Sequence, residues 1–143
     1  DVMSKGGITA ETSDGIQRTL WEKFVFLVGL SSTTTLMRTT LGPIRDYPES
    51  REFLSGVMSE ATAVGRAIGV DLPEDFANTR LDFADGLPVD MTSSMHHDFE
   101  AGNKLELPWL AGTIVRLGRE AGIATPVCQT VYAALLPKAG GTG

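Results

Sequence analysis

The chain has 143 residues and a mass of 15.3 kDa, and 42% of its residues are hydrophobic, which is enough for one domain with a buried core and too many for a disordered segment. A formal charge of -6 argues against nucleic acid or an anionic membrane as partner. The single cysteine, Cys128, excludes an intrachain disulfide and suits the reducing cytoplasm. The longest nearly apolar run, Phe24–Leu30, is far too short to span a bilayer, and no secretory signal is present. The first residue is Asp1 rather than methionine, as expected for a piece excised from something longer.

Residues 1–12 show no helical period: Gly6-Gly7 signals a turn, and Ile8-Thr9-Ala10-Glu11 reads as a short extended segment. Ser13 or Asp14 can then cap a long helix starting near Gly15. Ile16, Leu20, Trp21 and Phe24 fill its first turns, and the stretch to Leu30 is apolar on all sides, which predicts a central helix. Lys23 is the one charge directly beside that run and shares a face with Leu27 and Ser31. By spacing alone it reads as a lysine snorkelling off the edge of a core helix. The hydroxyl run Ser31–Thr35 predicts a bend, because these side chains compete for backbone groups, and Leu41-Gly42-Pro43 predicts the helix end.

Pro48 opens a second helix whose core-facing residues run from Phe53 to Ile68 before Gly69, and Pro73 opens a shorter one to about Asp85. Thr92, Ser93 and Ser94 can cap a helix from about Met95 to Ala101, broken by Gly102 and Asn103. Glu106 stands just before the next helix, where Pro108 fits the first turn. Leu107, Leu110, Ile114, Leu117 and Ala121 follow at 3–4 residue spacing up to Gly122. Thr125 and Pro126 cap and open a last helix carrying Val127, Val131, Tyr132 and Leu135, and Pro137 begins the tail. About six helices with no alternating strand after residue 12 predict a compact all-α domain.

The sequence has no GxGxxG and no P-loop, so it offers no nucleotide-phosphate cradle of its own. His96 and His97 are adjacent, so on a helix they point about 100° apart, and no third histidine completes a metal set. Cys128 lies early in an apolar helix and reads as packing. Lys23, Ser94, Asp98 and Glu106 remain as candidates. Apolar walls beside an ammonium disfavour its charged form and make it a better proton donor, a nearby carboxylate holds its geometry, and a serine at a helix start can help bind an anion.

Three segments, LWEKF at 20–24, TSSMHHDFEAGNKLEL at 92–107 and LAGTIVRLGREAGIATP at 110–126, resemble the C-terminal helical domain of the ketopantoate reductase (2-dehydropantoate 2-reductase) family, and the likeness extends from Gly7 to Leu136. The resemblance implies an all-α, compact multi-helix domain like the C-terminal domain of 6-phosphogluconate dehydrogenase, with a short non-helical N-terminal segment. It divides the chain into an interdomain remnant at 1–12, the helical domain at 13–137 and a flexible tail at 138–143. In this family an N-terminal Rossmann domain binds NADPH and the helical domain supplies substrate contacts and dimerisation, in the cytoplasmic chemistry of pantothenate biosynthesis. That Rossmann half is absent from this sequence, so no cofactor site is expected in this chain, and by itself it is expected to be inactive. By position Lys23 matches the lysine that protonates the substrate carbonyl oxygen as hydride arrives. Glu106 matches the glutamate that hydrogen-bonds substrate and steadies the site, Ser94 a serine that contacts substrate, and Asp98 a more structural member of the same motif. The implied partners are a small 2-oxo acid or ketone, the missing Rossmann domain and a second copy in a homodimer, with no nucleic acid, membrane or metal. Three asparagines of the pantoate enzymes are replaced here, by Leu27, Ser31 and about Leu41. The alternative is a non-catalytic helical interaction or dimerisation module that keeps the family fold.

Overall fold

The computed structural model describes residues 9–141. Seven α-helices follow in order: α1 (Thr9–Met37), α2 (Leu41–Asp46), α3 (Pro48–Ala67), α4 (Phe76–Asp85), α5 (Ser94–Ala101), α6 (Ala111–Ala121) and α7 (Pro126–Leu135). Short 3-10 turns at Leu107–Trp109 and Leu136–Lys138 lead into α6 and out of α7, and there is no strand among the described residues. The all-α expectation is met. None of these helices is long and apolar enough to cross a membrane.

Helix α1 is the axle. It packs chiefly on α3 and also meets α2, α4, α5 and α7. Val25, Val28 and Leu30 are buried against Leu54, Val57, Met58, Ala61 and Val64 of α3. Gly29 permits the close approach: a Cβ there would stand 2.5 Å from Met58 Cγ, nearer than packed carbons come. Ile114 and Val115 of α6 and Cys128 and Val131 of α7 close the core from the other side.

The structure corrects several boundaries read from sequence. Helix α1 begins at Thr9, so Thr9–Glu11 are helical rather than extended, and Ser13 and Asp14 lie within the helix rather than capping it. Ala10 and Glu11 are strong helix formers, and one internal glycine, Gly15, costs only about 1 kcal/mol. Ile8 lies outside the described residues. The hydroxyl run does not break α1 either: Ser31 to Thr35 are all buried, and the helix continues to Met37. Thr34 donates back to the Leu30 carbonyl at 2.7 Å and shares a 2.8 Å hydrogen bond with Ser93 Oγ, so tertiary packing overrides weak local propensity.

Nor does Leu41-Gly42-Pro43 end α1. That tripeptide begins α2, whose first two amides bond to the carbonyls of Met91 and Val89. The end of α1 is Arg38, held at φ 54 in the left-handed region. A non-glycine residue there costs about 1 kcal/mol or more, and its side chain is anchored in return. Its guanidinium forms a fork on Glu100, at 3.0 and 3.1 Å, over the ring of Phe99. Pro73 precedes α4 by three residues instead of opening it, and a 3-10 turn stands where Pro108 was read as the first turn of α6.

Candidate functional site

Lys23 of α1 borders an open groove of about 450 Å³, lined also by Leu20, Trp21, Phe24, Leu27 and Thr113. The groove follows from helical spacing. Leu20, Lys23, Phe24 and Leu27 are three and four residues apart and form one stripe on α1, while Thr113 reaches in from α6. Trp21 and Phe24 stack edge to face with centroids 5.2 Å apart, and Trp21 also packs over Gly65 of α3. The aromatic floor is therefore fixed by the core. Lys23 itself is exposed, and none of the ion pairs formed among the described residues includes it.

Thr113 links this groove to the turn that carries Glu106. Its hydroxyl donates to the Trp109 carbonyl at 2.9 Å, with the Pro108 carbonyl at 3.4 Å. Glu106 precedes that turn, its side chain exposed and unpaired with any described cation, and its carbonyl accepts from the Trp109 amide at 3.0 Å. Lys23 and Glu106 form no ion pair with one another, and Glu106 is not among the residues that line the groove.

Ser94 and Asp98 lie elsewhere, on α5. The cap of α5 is Ser93, whose Oγ accepts from the His96 amide at 3.1 Å, and Ser94 is the first helical residue with an exposed side chain. The Ser93–Thr34 bond sets α5 against the far part of α1, about 16 Å along the helix axis from Lys23 at 1.5 Å per residue. Asp98 accepts from Asn103 Nδ2 at 3.4 Å and its carbonyl accepts from the Asn103 amide at 2.8 Å, so it fastens the end of α5 at the left-handed Gly102. The four candidates are distributed over α1, α5 and the turn before α6, and only Lys23 lines the apolar groove.

The two histidines are occupied by their neighbours. His96 Nδ1 lies 2.6 Å from Thr92 Oγ1 and Nε2 lies 3.4 Å from Glu100, while His97 stacks on His96. No three His, Cys, Asp or Glu side chains converge among the described residues. Hydrogen bonding to Arg38 holds the Glu100 carboxyl below its ordinary value, against a smaller opposing effect of burial. Cys128 is packing, as read from sequence. Burial, and then the Glu60 carboxylate beside it, push its thiol well above the ordinary thiol range.

Two features escaped the sequence reading. Thr113 was invisible as a groove residue because only the tertiary fold brings α6 beside Lys23. The amides of α7 are capped not by Thr125, whose buried hydroxyl finds no partner among the described residues, but by Glu60 of α3. Its two oxygens accept from Val127 and Cys128, each at 2.8 Å. Of the three positions where asparagine is replaced, Leu41 is fully buried and Ser31 nearly so, which leaves only Leu27 in the groove.

The described residues thus form an all-helical domain with an open, largely apolar groove on α1. Residues 15–139 match the family described as ketopantoate reductase PanE/ApbA C terminal, and the chain belongs to that family. It is 30% identical over 131 residues to an uncharacterised oxidoreductase of Bacillus subtilis, covering 90% of this chain and 43% of that protein. It is 29% identical over 128 residues to a 2-dehydropantoate 2-reductase of Halobacterium salinarum, covering 90% and 42%. A dimeric ketopantoate reductase from Staphylococcus aureus superposes with a TM-score of 0.81 at 30% identity, over 87% of this chain and 43% of that one. The chain therefore spans less than half the length of these relatives.

Proposed function

We propose that this chain is the substrate-binding and dimerising half of an NADPH-dependent 2-oxo acid reductase, with Lys23 as general acid. The observation that carries the reading is the exposed Lys23 at the edge of an apolar groove, in a domain of the ketopantoate reductase family. The described residues contain no strand and the sequence no glycine-rich phosphate loop, so they do not fit a dinucleotide, and the remaining part of the longer protein would hold it. When bound there, the reduced nicotinamide supplies hydride.

The chemistry left to this chain is proton delivery and placement. As the carbonyl carbon gains its C–H bond, the π electron pair moves onto oxygen, and Lys23 Nζ first stabilises that charge and then donates its proton. The product is the 2-hydroxy acid. The amine left behind recovers its proton from water, which an exposed lysine can meet. Glu106, on the turn reached through Thr113, accepts a hydrogen bond from the new hydroxyl and steadies the ammonium. Asp98 keeps helix α5 in place through Asn103.

Uncovered apolar side chains support assembly. Ile16 on α1, Trp109 before α6 and Leu136 after α7, outside the groove, are all exposed in this chain. Such surface is normally covered by another domain or another copy. The dimeric state of the Staphylococcus aureus relative supports a homodimer. Light scattering on this chain is expected to give about twice 15.3 kDa, and the monomer mass across the micromolar range speaks against it.

The deciding experiment is steady-state kinetics on the full-length protein. Lys23→Ala is expected to lower kcat roughly 10²-fold or more, with cofactor affinity nearly unchanged, because general-acid help is worth about 10²–10⁴-fold. Lys23→Arg should rescue poorly, since a guanidinium hardly gives up its proton. Turnover within about threefold of wild type would remove the general-acid role and return the chain to a non-catalytic helical module.

A further inference from the structure

We propose that Arg80 on α4 anchors this domain to the preceding part of the longer protein by taking up a carboxylate which that part supplies. The inference needs a longer protein but does not rest on the reductase reading.

The guanidinium of Arg80 lies over two rings of its own helix, its Cζ 5.2 Å from the centroid of Phe76 and 5.1 Å from that of Phe83. Both rings are held from outside α4: Phe76 is part of the core, and Phe83 meets Phe26 of α1 edge to face at 5.3 Å. Arg80 is half-buried and its Nε is out of water, with no acceptor among the described residues. None of the ion pairs formed among them includes it. The other half-buried arginines are satisfied. Arg45 donates to the carbonyls of Ala84, Asp85 and Leu87, and Arg51 pairs with the Asp85 carboxylate at 2.6 Å. A guanidinium withdrawn from water needs an acceptor, because ring faces attract its charge without taking up its N–H groups. Its planar fork fits a carboxylate. Phe83, 48% exposed beside it, offers apolar contact, and an arginine with an aromatic is the combination that anchors protein interfaces.

The position of Arg80 selects the occupant. Asp71 lies 3.7 Å from Arg18, Trp21 and Leu72 both pack at Gly65, and Phe83 meets Phe26. The segment that carries Arg80 therefore lies along α1 between Arg18 and Phe26, about 14 and 26 Å along the axis from Thr9. The matched family is a C-terminal one, and the relatives are more than twice as long as this chain. In the proposed arrangement the missing part precedes α1, and at roughly 160 residues it has a radius of gyration of about 15 Å, enough to reach Arg80. Tethered at α1, it meets Arg80 at a far higher effective concentration than a free second copy does.

The test uses the full-length protein and a zero-length carbodiimide, which joins an ammonium to a carboxylate in contact with it and leaves arginine unreacted. Arg80→Lys places an ammonium at the anchor. The expected product is one new cross-link, absent from wild type, between position 80 and an Asp or Glu of the part before α1, in protein that runs at monomer mass when denatured. A cross-link to another copy, seen at dimer mass, overturns the proposal. A cross-link to Glu22 or Asp82 of this domain, or none at all, overturns it too. Hydroxyl-radical footprinting of wild type gives a second reading that needs no variant. Phe83 is expected to lose its exposure in the full-length protein and to be oxidised as slowly as buried Phe76, and faster oxidation of Phe83 overturns the proposal. Neither readout uses turnover. A full-length protein that reduces no 2-oxo acid leaves this inference standing, and a missing cross-link leaves the reductase reading standing.

Discussion

Two carboxylates near helix starts divide this molecule into a finished region and an open one. Glu60, at the α3–α7 junction, is half-buried and directs both oxygens at the amides of Val127 and Cys128. Glu106, before α6, is exposed and pairs with no described cation. Both stand where a helix presents free N–H groups, yet only Glu60 uses them. A carboxylate satisfied by its own fold stabilises that fold and has no capacity left for a ligand, whereas one left in water keeps that capacity.

The contrast is broken most sharply by neutralising each in turn in the full-length protein. Glu106→Gln is expected to raise KM and lower kcat together, reducing kcat/KM about 10–100-fold, with the thermal midpoint nearly unchanged. Glu60→Gln should do the reverse, costing about 1.5–3 kcal/mol of stability by denaturant titration, since two hydrogen bonds to a charged group are weakened, with kcat intact. If Glu60→Gln altered turnover while Glu106→Gln altered only stability, the division between the two regions would be wrong.

A smaller effect tests the polar tie between α1 and α5. Ser93→Ala removes the cap of α5 and the partner of Thr34 together, and should cost about 1 kcal/mol, read as a lower urea midpoint at unchanged slope. The smallest expected effect concerns pH. Glu100 has a depressed carboxyl through Arg38, so its contribution is present above the ordinary carboxylate range and is lost as pH falls through its lowered folded value. Being exposed, the pair contributes little. Wild type and Glu100→Gln should therefore differ slightly in urea midpoint at about pH 7 and converge at about pH 3.

What the sequence disclosed was whatever the local backbone decides. Pro48 and Pro126 open their helices, and Gly69, Gly102 and Gly122 follow helix ends with positive φ, as their chemistry requires. The end of α1 was hidden because Arg38 takes a glycine's conformation and is held there by residues 62 positions away. The α7 cap was hidden for a like reason, since Glu60 is 67 positions from Val127. At the candidate site, Lys23 and Leu27 were legible as neighbours on one face, but the aromatic floor depends on how α1 lies on α3, and Thr113 on where α6 is carried by the rest of the core. The unbroken passage of α1 through Ser31–Thr35 was likewise a tertiary matter, because burial outweighs the local preference of five hydroxyl residues.

That seating of α1 gives Gly29 an influence beyond its size. The residue touches no groove atom and lies about 9 Å along the axis from Lys23. Met58 stands where a methyl group on Gly29 would go, so a larger residue there forces either the Met58 side chain or the seating of α1 on α3 to shift. Lys23 rides on the same rigid rod, and a misplacement of about 1 Å in a reacting group can cost of order 10²-fold in rate. With Lys23 in the general-acid role proposed above, a core glycine would act as the alignment shim of a remote reaction centre, and selection for turnover would police the interior of this helix as closely as its surface.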